Sequence, residues 1–172
     1  NYKEKLDKEG VPSGILVQAS LGHAYEIEPN PFTKYENLTD GEQVFVCCAE
    51  DDAFIEHFKG VLKTIAKAGP KAIMLDDDFR MSQHRGNLSC ACPKHMERIG
   101  RTLGERISVD ELRPYVLTGK ANKYRNAWMQ AQNEGLIGLA KEIRKSVDAV
   151  APDVVVCICT ACAPWNVDGL DV

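Results

Sequence analysis

KAIMLDDD, at residues 71–78, is a short apolar run that ends in three consecutive aspartates. The apolar residues predict a buried β-strand over residues 71–76, and Gly69-Pro70 separates this strand from the segment before it. Carboxylates at the end of an apolar strand are costly unless they are paired, bound to a metal ion or used in chemistry. The stretch therefore predicts a strand of the core sheet whose carboxyl end carries a site.

Strands and helices alternate on both sides of this stretch. Three further apolar runs predict strands at residues 14–20, 43–48 and 153–159. Apolar periodicity predicts helices at residues 52–68 and 123–150. Pro93 suits the first turn of a helix that reaches about residue 103, and a capping box opens another helix at residue 108. Near-continuous apolar strands separated by helices are typical of a parallel sheet covered by helices, so we expect an α/β protein.

The position of the long loops favours a (β/α)₈ TIM barrel over an open doubly wound sheet. No G-x-G-x-x-G or Walker sequence opens a helix, and the long loops follow strand ends, where barrels carry function. Four parallel strands are about half of a barrel, which needs roughly 250 residues in all. We therefore interpret residues 1–172 as a single domain, a segment of a barrel. Its open edges would require the remainder of the barrel or a homo-oligomer as partner.

Composition narrows the functional classes. The chain has 172 residues, a formal net charge of -4 and no basic block, which argues against a nucleic-acid-binding protein. No apolar run approaches the roughly 20 residues that span a bilayer, and no signal peptide is recognisable, so we expect no membrane partner. The seven cysteines are odd in number and have C-x-C spacings. They favour reduced thiols or a metal site over disulfides and indicate a cytoplasmic protein.

Cysteine and histidine spacing predicts a zinc site. Cys90-x-Cys92-x-x-His95 supplies three ligands of types that bind zinc tetrahedrally. The Cys47-Cys48 pair, at the end of the preceding predicted strand, can supply the fourth. The alternative interpretation is a group of small buried thiols beside a surface histidine.

Asp76, Asp77 and Asp78 predict a catalytic group. Alternation along a strand places Asp76 and Asp78 on one side and Asp77 on the other. Crowded carboxylates raise one another's pKa, so that one can remain protonated near neutrality, as a general acid requires. The alternative is structural, with the aspartates capping turns and pairing with Arg80 or Arg85.

Three stretches together resemble the glycoside hydrolase family 42 β-galactosidases. They are CAEDDAFIE at residues 48–56, IMLDDDF at 73–79 and CACPKH at 90–95. The resemblance implies a structural zinc ion whose ligands are Cys48, Cys90, Cys92 and His95. The histidine stands where the family has a fourth cysteine, which zinc tolerates.

The resemblance also implies a role for the acidic triplet. It aligns Asp77 and Asp78 with an Asn-Glu pair whose Glu is the acid/base catalyst, and it makes the four predicted strands the second to fifth of eight. Because Asp is one methylene shorter than Glu, the carboxyl group lies about 1.5 Å further back. The family's nucleophile comes from the seventh strand, which lies outside this sequence.

The sequence as a whole predicts a glycoside hydrolase-like barrel that acts on a carbohydrate. Asp78 would protonate the leaving oxygen or attack the anomeric carbon, with Asp76 and Asp77 adjusting its position. Candidate substrate-binding residues are Arg80, His23 and Trp165, of which the last could stack on a sugar ring. Weaker candidates are Tyr25, His84, Arg85 and the cluster Cys157-x-Cys159-x-x-Cys162, which burial of the thiols explains well.

Two alternatives remain open at this stage. The first is a barrel-derived carbohydrate-binding protein without hydrolytic activity. The second is a metal-dependent hydrolase that uses the aspartates as ligands, for which only His23 and His84 lie near predicted strand ends.

Overall fold

The computed structural model describes residues 2–22, 31–81 and 88–159 of the chain. Its helices are α1 (Tyr2–Lys8), α2 (Asp52–Lys67), α3 (Pro93–Leu103), α4 (Val109–Leu117) and α5 (Lys123–Asp148). Its strands are β1 (Gly14–Val17), β2 (Lys34–Glu36), β3 (Gln43–Cys47), β4 (Ala72–Leu75) and β5 (Val155–Ile158). Within these ranges the chain is a mixed α/β protein, as the alternation of apolar runs predicts.

Three strands form a parallel sheet in the order β1-β4-β5. β4 lies in the middle, and Met74 pairs with Leu16 on one side and with Cys157 on the other. All three strands come from apolar runs that predict a parallel sheet, and this part of the prediction is confirmed. Because the strands are parallel, their carboxyl ends meet at one edge, and residues 76–78 follow β4 at that edge.

Residues 43–48 enter a different sheet from the one predicted. β3 pairs antiparallel with β2, and the two form a separate sheet in which Lys34 lies opposite Cys47. The prediction of about four parallel strands is therefore wrong for the described residues, in which three are parallel. Its assignment to four successive barrel strands fails at β3. An apolar run predicts that a strand forms but not which strand it pairs with. The three-residue β2 is too short to be predicted from the hydrophobic pattern of the sequence.

Side-chain caps explain where the predicted helices begin. Asp51 accepts a hydrogen bond from the backbone N–H of Phe54 at 2.7 Å and caps α2. Ser108 and Glu111 form the capping box of α4, as predicted, and Asn122 caps α5. By contrast, α1 is not predicted from the sequence, and none of its residues is buried. No helix in the described ranges is both long and apolar enough to cross a membrane.

Helices α2 and α5 pack against one face of the parallel sheet. Ile73 and Leu75 of β4 are buried in one cluster with residues of both helices, namely Phe54, Phe58, Leu62, Leu136, Leu139 and Ile143. The opposite face is apolar but exposed: Leu16, Met74 and Val155 keep 53%, 39% and 58% of their surface accessible. We call these three residues the open sheet face. The sheet therefore has one face covered by helices and one apolar face exposed.

Candidate metal centre

Four residues from two distant parts of the chain meet in one buried cluster. Cys48 directly follows β3, Cys90 and Cys92 precede α3, and His95 lies in the first turn of α3. All four are buried, and each can place one ligand atom within 4.8 Å of the others. The structure thus brings together the predicted set and selects Cys48, rather than Cys47, as its fourth member.

The distances within the cluster match those of a tetrahedral metal site. Sγ of Cys48 lies 3.6 Å from Sγ of Cys92 and 3.6 Å from Nδ1 of His95, and Sγ of Cys92 lies 3.3 Å from the same nitrogen. Zinc–sulfur bonds of about 2.3 Å and zinc–nitrogen bonds of about 2.0 Å place tetrahedral ligands roughly 3.5–3.8 Å apart. The three cysteines are not joined by disulfides. The cluster could therefore hold a metal ion with little movement of its side chains.

Backbone hydrogen bonds hold the ligand-bearing loops in place. The amide of Gln132 in α5 accepts from the backbone N–H of Cys90 at 2.7 Å and donates to the carbonyl of Cys90 at 3.2 Å. The N–H of Cys48 donates to the carbonyl of Thr33 at 2.7 Å. Because these contacts do not use the thiols or the imidazole, they orient the backbone while leaving the ligand atoms to face one another.

The electrostatics of the cluster follow from burying three thiols and an imidazole together. Hydrogen bonds to the Cys90 and Cys92 thiols, with burial, raise the pKa of Cys48 above its ordinary value. Hydrogen bonds from Cys48 and Cys90 lower the pKa of Cys92 well below the ordinary value. Burial alone would lower the pKa of His95, but hydrogen bonds to Cys90 and Cys92 outweigh it and raise this pKa to about 10. The protonation of the four groups is therefore coupled through their mutual hydrogen bonds.

The acidic triplet adopts a turn rather than a continuation of β4. The backbone N–H of Phe79 donates to the carbonyl of Asp76 at 3.2 Å, and Oδ1 of Asp76 accepts from the backbone N–H of Asp77 at 2.9 Å. Strand alternation therefore does not extend to Asp77 and Asp78, which corrects the predicted placement of the three side chains. Asp76 and Asp77 are half-buried at the carboxyl edge of the sheet. Oδ2 of Asp77 lies 3.9 Å from the guanidinium of Arg80, the pairing that the structural alternative predicts.

Asp78 anchors the loop that follows β1. Its Oδ2 accepts hydrogen bonds from the backbone N–H groups of Ser20, Leu21 and Gly22 at 2.7, 2.8 and 3.0 Å, and the residue is buried. Burial raises the pKa of Asp78, although the hydrogen bonds from Gly22, Leu21 and Ser20 oppose this effect. These contacts give Asp78 a structural role, as the structural alternative predicts, with partners that the sequence pattern does not reveal.

Several predicted residues lie outside the described ranges. They are His23, Tyr25, His84, Arg85, Cys162 and Trp165. The competing cysteine cluster is therefore described only in part, with Cys157 exposed on β5 and Cys159 partly buried just after it.

Gln132 and Gly135 of α5 are parts of the centre that the sequence analysis misses. A Cβ atom on Gly135 would lie 3.2 Å from Nε2 of His95, so the helix passes directly over the imidazole. The two residues follow Cys92 by about 40 positions, and neither is a metal-ligand type. Around these two positions the sequence shows only the apolar periodicity of an amphipathic helix.

Comparison with known proteins adds no family assignment. No family model matches the chain, and no curated protein matches it.

Proposed function

We propose that the chain binds one structural zinc ion through Cys48, Cys90, Cys92 and His95. The observation that carries the proposal is the set of distances between Cys48, Cys92 and His95, all within about 0.3 Å of the edges of a tetrahedral zinc site. Thiolate and imidazole ligands favour zinc over magnesium or calcium, which prefer oxygen. Four protein ligands leave no position for a water molecule, which supports a structural rather than a catalytic site.

Zinc at this position would join two loops that are far apart in sequence. Cys48 and Cys92 are 44 residues apart; Cys48 directly follows β3 of the antiparallel sheet, and Cys92 caps α3. The metal–ligand bonds form only in the native state, and they offset the conformational entropy that is lost when this long loop closes. Zinc binding would therefore favour folding. The ion would also balance the charge of the buried thiolates.

Metal removal tests this proposal. We expect purified protein to contain about one zinc per chain and a chelator to lower its unfolding midpoint, because binding to the native state alone stabilises it. The Cys90→Ser variant should lose the metal and most of the chelator effect. The matched control is Cys157→Ser, at an exposed cysteine outside the cluster, which should keep both. Metal-free wild-type protein, or a Cys90→Ser variant with full zinc content, would contradict the proposal.

We propose secondly that this chain is part of a glycoside hydrolase-like barrel acting on a carbohydrate. Two observations favour it: β1, β4 and β5 are parallel in chain order, and the apolar sheet face opposite the helices is exposed, as the interior face of a barrel segment would be. Asp76 and Asp77 lie at the carboxyl edge, where barrels keep catalytic groups. The runner-up is a carbohydrate-binding barrel protein without hydrolytic activity.

Within this second proposal, the two half-buried members of the triplet are the better candidates for chemistry. Asp78 is buried and holds three backbone N–H groups, whereas Asp76 and Asp77 are half-buried and can meet a ligand. Asp78 would then position the loop beside them.

Turnover of activated aryl glycosides tests the hydrolase proposal. If a carboxylate of the triplet is the acid/base or nucleophile, Asp76→Asn or Asp77→Asn should lower turnover at least about a hundredfold, the usual size of general acid–base contributions. Asp110→Asn is the control, since Asp110 lies on α4, away from this edge. Full activity in both triplet variants would place the chemistry elsewhere. Sugar binding without turnover by the wild type would favour the non-catalytic protein.

A further inference from the structure

The imidazole of His95 has one nitrogen inside the cluster and one outside it. Nδ1 faces the thiols, 3.3 Å from Sγ of Cys92 and 3.6 Å from Sγ of Cys48. Nε2, on the other side of the ring, is buried and has no hydrogen-bond partner among the described residues. When Nδ1 of a histidine binds a metal, Nε2 carries the proton and is a donor. A buried donor without an acceptor is destabilising, so an acceptor at this position would favour the zinc-bound form.

The carboxylate of Glu50 is the acidic group that faces the same point. Measured from a Cβ built on Gly135, Nε2 of His95 lies at 3.2 Å and Oε1 of Glu50 at 3.5 Å. The imidazole nitrogen and the carboxylate oxygen therefore lie within 3.5 Å of the same point beneath α5, and the two atoms are not hydrogen-bonded to each other in this structure. Glu50 follows Cys48 by two residues, so the loop that carries one ligand also carries this carboxylate.

Two basic neighbours, Arg98 and Lys94, hold Glu50 in place. Arg98 forms an ion pair with Oε1 of Glu50 and a second, at 2.8 Å, with Glu134. Nζ of Lys94 donates to the backbone carbonyl of Glu50 at 2.7 Å. The Glu50 side chain is only 11% exposed. Its carboxylate is thus a fixed and largely buried group, of the kind that orients metal-bound histidines in other proteins.

We propose that Glu50 is a positioning residue of the metal centre, whose carboxylate accepts the Nε2–H of His95 when Nδ1 binds zinc. The inference rests on the proposed zinc site. Glu50 fixes the ring orientation and the tautomer and makes Nδ1 a stronger ligand. Removing such a partner lowers metal affinity by about 10–100-fold.

Zinc affinity, measured by competition with a chromogenic chelator, tests this role. Glu50→Met keeps the length of the side chain but removes the acceptor, and it should weaken zinc binding by about 10–100-fold. Glu134→Met is the matched control, because it removes the other carboxylate partner of Arg98, and the Glu134 carboxylate accepts from Arg98 and Gln130. It should change the affinity by less than about threefold.

A double-mutant cycle separates positioning from a general structural effect. A cysteine at position 95 has no second N–H to donate. In the His95→Cys background, Glu50→Met should therefore leave zinc affinity unchanged. An equal loss in both backgrounds, or no loss in either, would overturn the role of Glu50.

Failure of the zinc site itself gives a different result, since wild-type protein would then bind no zinc at all. If Glu50→Met does not fold, the Glu50→Gln variant and NMR of the zinc-loaded protein provide the test. Wild-type protein should show a slowly exchanging Nε2–H signal from His95, and this signal should shift in Glu50→Gln. An absent signal, or an identical one in both proteins, overturns the proposal.

Discussion

Gly135 lies in the interior of α5, where glycine costs about 1 kcal/mol relative to alanine. A Cβ at this position would lie 3.2 Å from Nε2 of His95, closer than most real Cβ contacts, and 3.4 Å from Cγ of Glu50. The glycine is therefore explained by the close passage of the helix over the metal centre. Gly135 binds no ligand, but its lack of a side chain allows α5 to lie close to the metal cluster.

The two glycines of α5 provide a matched pair for testing this explanation. Gly138→Ala has open space for its Cβ, so it should stabilise the protein by up to about 1 kcal/mol through helix propensity. Gly135→Ala should lose that gain and weaken zinc binding, because its Cβ displaces the imidazole or Glu50. Urea unfolding midpoints, with and without zinc, measure both effects. Equal stabilisation by the two substitutions would show that the contact over His95 is not tight.

Asp78 is the second residue whose role depends on distant partners. Its carboxylate accepts from three consecutive N–H groups at residues 20–22, which lie 56 to 58 positions earlier in the chain. These contacts hold residues 20–22 beside the end of β4, after β1 has ended at Val17. A side chain that follows β4 thus fixes the loop that follows β1.

At the scale of elements, one helix start delivers two of the four ligands. Cys92 is the N-cap of α3, Pro93 occupies the first turn, and His95 follows three residues after the cap. The cap thiol makes no capping hydrogen bond and is directed to the cluster. Because the positive end of a helix dipole favours an anion, this position stabilises a thiolate.

The start of α2, after Cys48, offers a pH-dependent test. Burial raises the pKa of Asp51, but hydrogen bonds from Thr33 and Phe54 outweigh it and hold the pKa below its ordinary value. A carboxyl group with a lowered folded-state pKa stabilises the protein above its unfolded pKa, near 4, and loses this effect as pH falls through the folded value. Asp51→Ala should therefore cost about 1 kcal/mol near neutral pH and progressively less below about pH 4.

Denaturant unfolding of metal-free protein between neutral and acid pH measures this difference without interference from zinc release. Thr33→Val removes the hydroxyl that donates to Oδ2 of Asp51 at 2.6 Å. In that background the pH dependence of the Asp51→Ala effect should shrink. A cost of Asp51→Ala that stays constant with pH would contradict the role of the ionised carboxylate.

At the scale of the whole molecule, the parallel sheet is covered on one face and exposed on the other. Parallel sheets occur almost only with both faces covered. In the described residues, β1 and β5 also form the two edges of this sheet. The open sheet face and these edges are the features from which we expect association with further strands of a barrel or with a second copy.

Self-association of the 172-residue chain tests this expectation. We expect its sedimentation coefficient to rise with concentration, because exposed apolar sheet surface favours association. The Leu16→Lys, Met74→Lys double variant places two charges on the open sheet face and should raise the monomer fraction. Val61→Lys is the control, since Val61 is 36% exposed on α2, away from this face. A wild-type chain that is monomeric at every concentration would contradict the expectation.

Local patterns in the sequence predict part of the fold and most of the candidate metal site. Apolar runs predict β1, β4 and β5, caps and periodicity predict α2 to α5, and the spacing of Cys90, Cys92 and His95 predicts most of a metal site. These features depend on residues within a few positions of one another, where strand and helix periods and ligand spacing act.

Only the folded structure shows which segments that are distant in sequence lie in contact. It pairs β3 with β2 instead of with the parallel sheet, selects Cys48 over Cys47, and directs Asp78 to residues 20–22. It also places Gly135 over His95. The physical reason is the same in each case: an apolar run, a thiol or a carboxylate has many suitable partners, and packing of the whole chain determines which one lies within a few ångströms.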